Sequence, residues 1–427
     1  MQSSRCALAA AVFGSFLAVA ATSRAVENWP RFRGPTGQGV SAAKDLPLHW
    51  SGTENVAWKT EIPGDGWSSP IVFGDRIFMT STTELGKFCH VICVDRKSGQ
   101  LLWDKQVFEQ NPGPRRPDNS FASPTPVTDG SLVYAVFSSG GIAALDYEGN
   151  VRWENHEIAF RSQHGLGASP ILTDKLLIMP YDGTHPQGGF AMPWDGAVVL
   201  AVDKTTGEVC WRGKRGLSRV SHVTPNLLAV DGVTQLISGG GDVIQGHNLE
   251  NGDLIWTIRS VGQGVVPSIV MGDSLIFSCS GYDAPTIRAV RPGGHGDVTA
   301  TNIVWEKKEG VPMLASLLYV APHIYSVTEQ GIIHCYNAKT GEIVWKHRIG
   351  GKHSASPIFA DGRIYFLAEA DGESTIIAPG AEYKEIARNT LGELCKASMA
   401  VAGKNIIIRG EHNLYCIGPA PADAAGE

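Results

Sequence analysis

One short phrase recurs along this chain of 427 residues, and the repetition constrains the fold more than any other property of the sequence. Each copy starts with Asp or Asn and ends with Trp, and a Gly always precedes the Trp by four residues. The copies are D-R-K-S-G-Q-L-L-W (95–103), D-Y-E-G-N-V-R-W (146–153), D-K-T-T-G-E-V-C-W (203–211), N-L-E-N-G-D-L-I-W (248–256) and N-A-K-T-G-E-I-V-W (337–345). Repetition of this kind indicates an architecture built from similar supersecondary units.

The residues around each phrase predict a unit of four short strands. A Ser-Pro step such as S-S-P-I-V (68–72) starts the first strand, and a turn then leads into an apolar run such as G-D-R-I-F-M-T (74–80). Within the phrase, Asp or Asn can accept hydrogen bonds from the backbone two residues on, and Gly supplies the positive φ of the turn. The Trp falls on the outermost strand, where its ring can fill the wedge between neighbouring sheets.

Counting outermost strands gives eight units. I-V-W-E-K (303–307) and Y-K-E-I-A (383–387) add two to the five phrases, with Ile386 in the Trp position of the second. The last unit, 398–418, has three strands, and N-V-A-W-K-T-E-I (55–62) can supply its fourth through Trp58. The sequence therefore predicts an all-β fold: an eight-bladed β-propeller over 55–418, closed by an N-terminal strand that completes the last blade. An arm (26–54) and a C-terminal tail (419–427) flank it.

Residues 1–25 have the features of a signal peptide. Arg5 precedes the apolar run 7–21, and Ser23 and Ala25 place small residues at a cleavage site after Ala25 or nearby. The alternative is a membrane anchor, but the run is short for a span. We therefore expect a soluble, extracytoplasmic protein, periplasmic or secreted, without a stable membrane span.

Charge and cysteine usage narrow the function classes further. The formal net charge is −6 and the sequence shows no basic stripe, which argues against nucleic acid as a partner. Cys93, Cys335 and Cys416 fall in the repeat position that Ala144 and Ala201 fill in other units. A position that accepts Ala or Cys is a small buried one, so these thiols are expected to be packed in the core rather than paired in disulfides.

The repeat resembles that of quinoprotein-type β-propellers, the pyrroloquinoline quinone (PQQ) dehydrogenases. It is also similar to the propeller of an outer-membrane assembly lipoprotein. The arm W-P-R-F-R-G-P-T-G-Q-G-V-S (29–41) and N-S-F-A-S-P-T-P-V-T-D-G (119–130) look like an exported, planctomycete-like group of PQQ-binding-like repeat proteins. The dehydrogenase resemblance implies PQQ and calcium. This chain, however, lacks the adjacent cysteines and the C-x-x-C-H motif of those enzymes, and the lipobox cysteine of the lipoprotein.

The loops that lead into the innermost strands of a propeller crowd around one mouth of its channel, and ligands favour such mouths. Three histidines, an amide, a lysine and two aromatic residues lie just ahead of the predicted inner strands. This candidate ligand-binding set is Trp67, Asn119, Phe121, His164, His222, His353 and Lys396. The alternative is a set of ordinary exposed loop residues. A three-histidine metal site is disfavoured, because the ring spacing holds the imidazoles apart.

Two further loop features allow both a functional interpretation and a purely structural one. Arg115 and Arg116 can clamp an anion or belong to a solvated loop, and Asp283 is a turn residue more readily than a general base. No catalytic residue or metal ligand is assigned. We expect a monomeric binding or scaffold module of the cell envelope that uses no cofactor and whose partner is an unknown small molecule or an envelope protein. The alternative is a quinoprotein-like oxidoreductase that uses PQQ and calcium.

Overall fold

Eight small sheets contain the 33 strands of residues 28–421, the part of the chain that the computed structural model describes. Seven of the sheets have four strands and one has five. We call the sheets blades and number them along the chain. The predicted signal peptide and the last six residues of the tail lie outside the described residues. The eight-bladed β-propeller predicted from the repeats is confirmed.

The first half of the chain supplies an isolated first strand and four complete blades. Within each blade the strands follow one another in chain order, from the innermost to the outermost. The elements are β1 (Val56–Glu61); β2 (Ile71–Phe73), β3 (Arg76–Thr83), a 3-10 turn (Glu84–Gly86), β4 (Phe88–Asp95) and β5 (Leu101–Glu109) in blade 1; β6 (Val127–Thr128), β7 (Leu132–Val136), β8 (Ile142–Asp146) and β9 (Val151–Asn155) in blade 2; β10 (Ile171–Leu172), β11 (Leu176–Tyr181), β12 (Val198–Asp203) and β13 (Val209–Lys214) in blade 3; and β14 (Asn226–Val230), β15 (Val233–Gly239), β16 (Val243–Asn248) and β17 (Leu254–Arg259) in blade 4.

The second half repeats the pattern with one insertion and one incomplete blade. The elements are β18 (Val270–Gly272), β19 (Leu275–Cys279), β20 (Ile287–Val290), β21 (Gly296–Asp297), α1 (Thr299–Asn302) and β22 (Ile303–Lys307) around blade 5; β23 (Leu318–Val320), β24 (His323–Val327), β25 (Ile332–Asn337) and β26 (Ile343–Arg348) in blade 6; β27 (Ile358–Ala360), β28 (Arg363–Leu367), a 3-10 turn (Ala370–Gly372), β29 (Ser374–Ile377) and β30 (Glu385–Asn389) in blade 7; and β31 (Ala400–Ala402), β32 (Asn405–Arg409) and β33 (Asn413–Ile417) in blade 8. β21 pairs in parallel with β17, so it extends blade 4 rather than blade 5.

Blade 8 is completed by the N-terminal strand, as predicted. β1 pairs antiparallel with β33, and Trp58 lies opposite Cys416. The same cross-strand pair of a Trp and a small residue occurs in six other blades, where Cys93, Ala144, Ala201, Gly246, Ala289 or Cys335 faces the Trp. Cys93, Cys335 and Cys416 are buried and not in disulfides. Both the strand exchange and the small-residue position are therefore confirmed.

The recurring phrase joins one blade to the next. In blade 3, the Asp203 carboxylate accepts the backbone N–H groups of Thr205 and Thr206 at 2.8 and 3.0 Å, which fixes the turn. The indole N–H of Trp153, one blade earlier, donates to the Lys204 carbonyl at 3.1 Å. A Cβ on Gly207 would lie 2.5 Å from that indole ring, so the turn needs Gly for space as well as for its φ of 77°.

The same indole-to-carbonyl bond is made by six tryptophans at 2.9–3.1 Å: Trp58, Trp103, Trp153, Trp211, Trp305 and Trp345. Trp256 instead donates to Gln235 within its own blade at 2.8 Å. The hairpin that follows it, in blade 5, carries the β21 insertion in place of the phrase.

Blade 7 departs from the prediction by one residue. Ala387, and not Ile386, occupies the Trp position, and its cross-strand partner is Ile376. The large and small members of the pair have thus changed strands. Since the two residues face each other, the exchange still fills the space between the strands. The large side chain, Ile376, then lies on β29 instead of β30.

The N-terminal arm crosses the face of the ring opposite the mouth. Its backbone and side chains bond to five blades between positions 30 and 39, through the pairs Pro30–Thr128, Thr36–Asn226, Gln38–Met271, Arg33–Leu317 and Gly39–Phe359. Trp29 is fully buried against blade 1, and Trp50 is buried in the hydrophobic cluster that joins blades 7, 8 and 1. The arm therefore covers one end of the axial channel.

Candidate functional site

A closed ring of eight hydroxyl groups surrounds the channel axis. One Ser or Thr, two residues before each inner strand, accepts the backbone N–H of the equivalent residue in the preceding blade, at 2.9–3.2 Å. The members are Ser69, Thr125, Ser169, Thr224, Ser268, Ser316, Ser356 and Ser398. The backbone N–H of Ser398 donates to the Ser69 hydroxyl, so the last bond closes the circle. We call this set the hydroxyl ring.

The hydroxyl ring lines a cavity of about 290 Å³ that opens at the mouth of the channel. Phe32 of the arm also lines the cavity. Side chains on an extended strand alternate between faces, so the residue two positions before each ring member also faces the cavity. This upper layer comprises Trp67, Ser123, Gly167, His222, Val266, Leu314, Ser354 and Lys396. The wall thus has one aromatic side, an apolar stretch and several polar groups.

Five of the seven residues predicted for the mouth line this cavity: Trp67, Asn119, His164, His222 and Lys396. His353 does not, because Lys352 and Ser354 on either side of it line the cavity, and the residue between such neighbours turns into the sheet. Its imidazole is buried, with its nitrogens 3.0 and 2.9 Å from the carbonyls of Leu367 and Gly350. Burial lowers the pKa of His353. The three histidines therefore do not converge.

Phe121 also lies away from the cavity. Its ring packs against Gly86, where an added Cβ would come within 2.2 Å of it, and the Arg115 guanidinium stacks over it at 4.7 Å. Arg115 donates to the Asn119 carbonyl at 2.6 Å. Phe121 and Arg115 thus hold the loop that carries Asn119. Phe121 supports the cavity wall and does not line it.

The structure adds five charged or aromatic residues to the mouth: Arg116, Asp118, Tyr282, Glu329 and Lys352. Tyr282 and Glu329 come from loops between the second and third strands of blades 5 and 6. The prediction considered the loop with Tyr282 only as a turn, did not consider the loop with Glu329, and drew the site from the loops before the inner strands. Lys352 could have been predicted from the sequence. It lies four residues before ring member Ser356, so side-chain alternation places it on the same face as Ser354 and Ser356.

A cation covers the aromatic side of the cavity. The Lys396 ammonium lies 5.0 Å from the centre of the Trp67 ring, a cation–π arrangement. It is also 3.4 Å from the Asp118 carbonyl. Lys352 lies 3.2 Å from the Asp118 carboxylate and 3.3 Å from Glu369. The hydrogen bond from Lys352 is the main cause that lowers the pKa of Asp118, so this carboxyl is ionised at neutral pH.

His164 and His222 face each other across the opposite side. Their ring centres are 6.1 Å apart, and His164 stacks on Phe190 at 4.4 Å. Burial, followed by the neighbouring His164, lowers the pKa of His222 to about 3, so the imidazole is neutral at physiological pH. Its Nδ1 is buried without a hydrogen-bond partner among the described residues. A neutral imidazole with an unused nitrogen can donate to, or accept from, a ligand.

The cavity residues fit a calcium-bound quinone poorly. Calcium is bound by about six to eight oxygen ligands, and carboxylates among them supply the negative charge. Of the two carboxylates that line the cavity, Asp118 pairs with Lys352, and Glu329 accepts the backbone N–H groups of Met313 and Leu314 at 2.6 and 3.0 Å. Within residues 28–421 no group of three or more His, Cys, Asp or Glu side chains is arranged to hold a metal ion.

The fold and the cavity together define a β-propeller with a cavity at one end of its axial channel. The sequence profile described as outer membrane protein assembly factor BamB matches residues 48–165 and 294–410, more than half of the chain. The chain therefore belongs to this family. No curated protein sequence matches it.

Solved structures show the same fold at low sequence identity. BamB from Moraxella catarrhalis is 17% identical with a TM-score of 0.58, and the match covers 84% of this chain and 97% of that one. The computationally designed Ika8 protein is 12% identical with a TM-score of 0.57, over 89% and 99% of the two chains. Within the described residues, no helix is long and apolar enough to cross a bilayer.

Proposed function

We propose that the protein is an exported β-propeller that serves as a binding module of the cell envelope, and that the axial cavity is its small-molecule site. The observation that carries the proposal is the cavity itself. It gathers Trp67, His222 and Lys396 from three blades around about 290 Å³, and the arm closes its far end. Such a blind, partly apolar space with a few polar groups is typical of ligand sites.

Membership in the BamB family supports the binding role. Envelope location rests on the apolar segment 7–21 behind Arg5, which predicts export. A fusion of residues 1–27 to a reporter that is active only outside the cytoplasm tests this part. Export of the reporter is the expected result, and its retention in the cytoplasm would overturn the location.

The cavity provides binding groups more readily than catalytic ones. Lys396 offers a positive charge and its three donors, Trp67 offers a face for stacking, and neutral His222 offers one uncommitted nitrogen. The alternative of a PQQ- and calcium-dependent oxidoreductase is not favoured, because the two carboxylates at the mouth already have partners.

A double variant tests the cavity as the ligand site. Thermal unfolding of the wild type is measured with a panel of small carboxylates, polyols and aromatic compounds, because a ligand of the folded state raises the melting temperature. For any compound that stabilises the wild type, His222→Ala with Lys396→Ala should weaken binding about tenfold or more, since hydrogen bonds to charged groups contribute roughly 1.5–3 kcal/mol each.

Lys346→Ala is the matched control, because this lysine lies on the exposed outer strand of blade 6 and, among residues 28–421, forms an ion pair only with Glu309, at 2.8 Å. It should bind as the wild type does. The proposal is wrong if no compound stabilises the wild type, or if the double variant binds every stabilising compound unchanged.

A further inference from the structure

A loop from blades 1 and 2 reaches across the mouth of the cavity. Residues 110–119, which we call the strap, connect β5 to the inner strand of blade 2. Gln110 anchors its start through bonds to Gly86 and Ser139 at 2.8 and 2.9 Å, and Asn119 anchors its end on the His164 carbonyl at 2.7 Å. Between the anchors, Asp118 contacts Lys352 and Lys396 ahead of blades 7 and 8. The strap therefore spans the opening.

Three cations at the mouth are directed at one carboxylate of the chain itself. Lys352 bonds to Asp118 at 3.2 Å, and Lys396 and Arg116 act on it through their charge. The Arg116 side chain has no hydrogen-bond or ion-pair partner in the described part of the chain. The Asp118 carboxylate remains about half exposed, so a dissolved anion can compete for its place.

The cavity below the strap holds hydroxyl donors that no residue of 28–421 satisfies. All eight hydroxyls of the ring accept a backbone N–H, but none donates a hydrogen bond to a described residue. The ring members are each at least nine-tenths buried and line the cavity. Buried donors without acceptors are costly, so this layer is complementary to a molecule rich in hydrogen-bond acceptors.

We propose that the cavity binds a small hydroxylated carboxylate, and that Asp118 occupies the carboxylate position as a tethered substitute that the ligand displaces. The oxygen atoms of the ligand body accept from the hydroxyl ring, and its carboxylate takes over Lys352 and Lys396. The inference rests on the proposed function, since it names the ligand class of the same cavity. It also explains why three cations sit beside a cavity that has few other charges.

L-tartrate is the probe, and its neutral counterpart L-threitol carries hydroxymethyl groups in place of the carboxylates. Affinities are measured by titration calorimetry at low ionic strength, where exposed charges are least screened. Asp118→Asn removes the tethered competitor with little change in shape, and it should bind L-tartrate about three- to fivefold more tightly than the wild type, the range expected for an exposed ion pair. L-threitol should bind both proteins equally.

Glu309→Gln is the matched control, because Glu309 is an exposed carboxylate whose partner Lys346 lies far from the mouth. It should leave the affinity for L-tartrate unchanged. In the double variant Asp118→Asn with Lys352→Ala, the gain should disappear, since the cation that bonds to the Asp118 carboxylate is then missing. Melting temperatures of all variants confirm that each is folded.

The outcomes separate this inference from the function on which it rests. Equal affinity of wild type and Asp118→Asn for L-tartrate, with weaker binding in Lys396→Ala, overturns the role of Asp118 and leaves the cavity as an anion site. A preference for L-threitol overturns the anionic ligand class. No binding of L-tartrate to any variant overturns the inference, while stabilisation by other compounds in a His222- and Lys396-dependent manner still supports the binding function.

Discussion

At the scale of single residues, the pairing of Trp with a small partner explains both the rule of the repeat and its exception. A Trp on the outer strand covers Ala, Cys or Gly on its neighbour, and in blade 7 Ile376 covers Ala387. Ile376 and its equivalent Cys335 in blade 6 are both fully buried, but Cys335 faces the large ring of Trp345 while Ile376 faces only Ala387. The side chain at this position therefore contributes more to core packing in blade 7 than in blade 6.

Ile376→Ala should therefore destabilise the protein far more than Cys335→Ala. The first change leaves Ala facing Ala and opens a cavity, which costs about 2–5 kcal/mol for such truncations. The second removes one sulfur beneath an indole ring and should cost about 1 kcal/mol or less. Urea unfolding of both variants measures the difference. Equal destabilisation would show that the large and small positions of blade 7 have not been exchanged.

At the scale of the secondary-structure elements, the hydroxyl ring ties the inner strands together where they are shortest. Inner strands β6 and β10 have only two residues each, so few ladder hydrogen bonds hold them. The ring adds one bond from each inner strand to the next blade, at buried positions. These bonds replace contacts that short strands cannot supply and fix the geometry of the cavity wall.

Ser398→Ala tests one link of the ring. It leaves the buried N–H of Ser356 without its acceptor, which costs about 1–3 kcal/mol. Ser398→Thr keeps the hydroxyl and should be close to neutral, because Thr125 and Thr224 already hold the equivalent positions in blades 2 and 4. Denaturant midpoints distinguish the two variants, and equal midpoints would contradict the importance of the link.

The elements that sequence reasoning predicted are those with a local signal. The phrase, the Ser-Pro steps and the turns all show themselves within ten residues, so the blade count and the strand exchange by β1 could be predicted. The hydroxyl ring could not, because each bond joins residues 40 or more positions apart. For the same reason the contact of Asp118 with Lys352 was missed, while the alternation of side chains could have excluded His353.

At the scale of the whole molecule, the propeller is held closed by β1 in blade 8 and by the arm on the face opposite the mouth. β33 would present a free edge without β1, with the row of unpaired backbone groups that edges expose. The arm contributes Trp29 and Trp50 to the cluster that joins blades 7, 8 and 1. Closure therefore depends on both the strand and the arm.

Two truncations separate these contributions. Removal of residues 26–62 deletes the arm and β1, and the product should aggregate or lose cooperative unfolding, as judged by size-exclusion chromatography and urea titration. Removal of 26–54 retains β1 and should give a monomeric but less stable protein, because the buried Trp29 and Trp50 are lost. A 26–62 deletion that unfolds like the mature protein would contradict closure by strand exchange.

The pairing of β1 with β33 also sets an order of folding events as the chain emerges from its N-terminal end. Glu61 cannot pair with Asn413 until Asn413 has been synthesised. At a synthesis rate of about 5–20 residues per second, this delay lasts tens of seconds. Meanwhile the arm has partners of its own, since Trp29 pairs with Val72 and Pro30 accepts from Thr128, in the first two blades to emerge. The arm of the emerging chain can thus bind to blades 1 and 2 once these have folded. This holds β1 near the position where β33 will later pair with it.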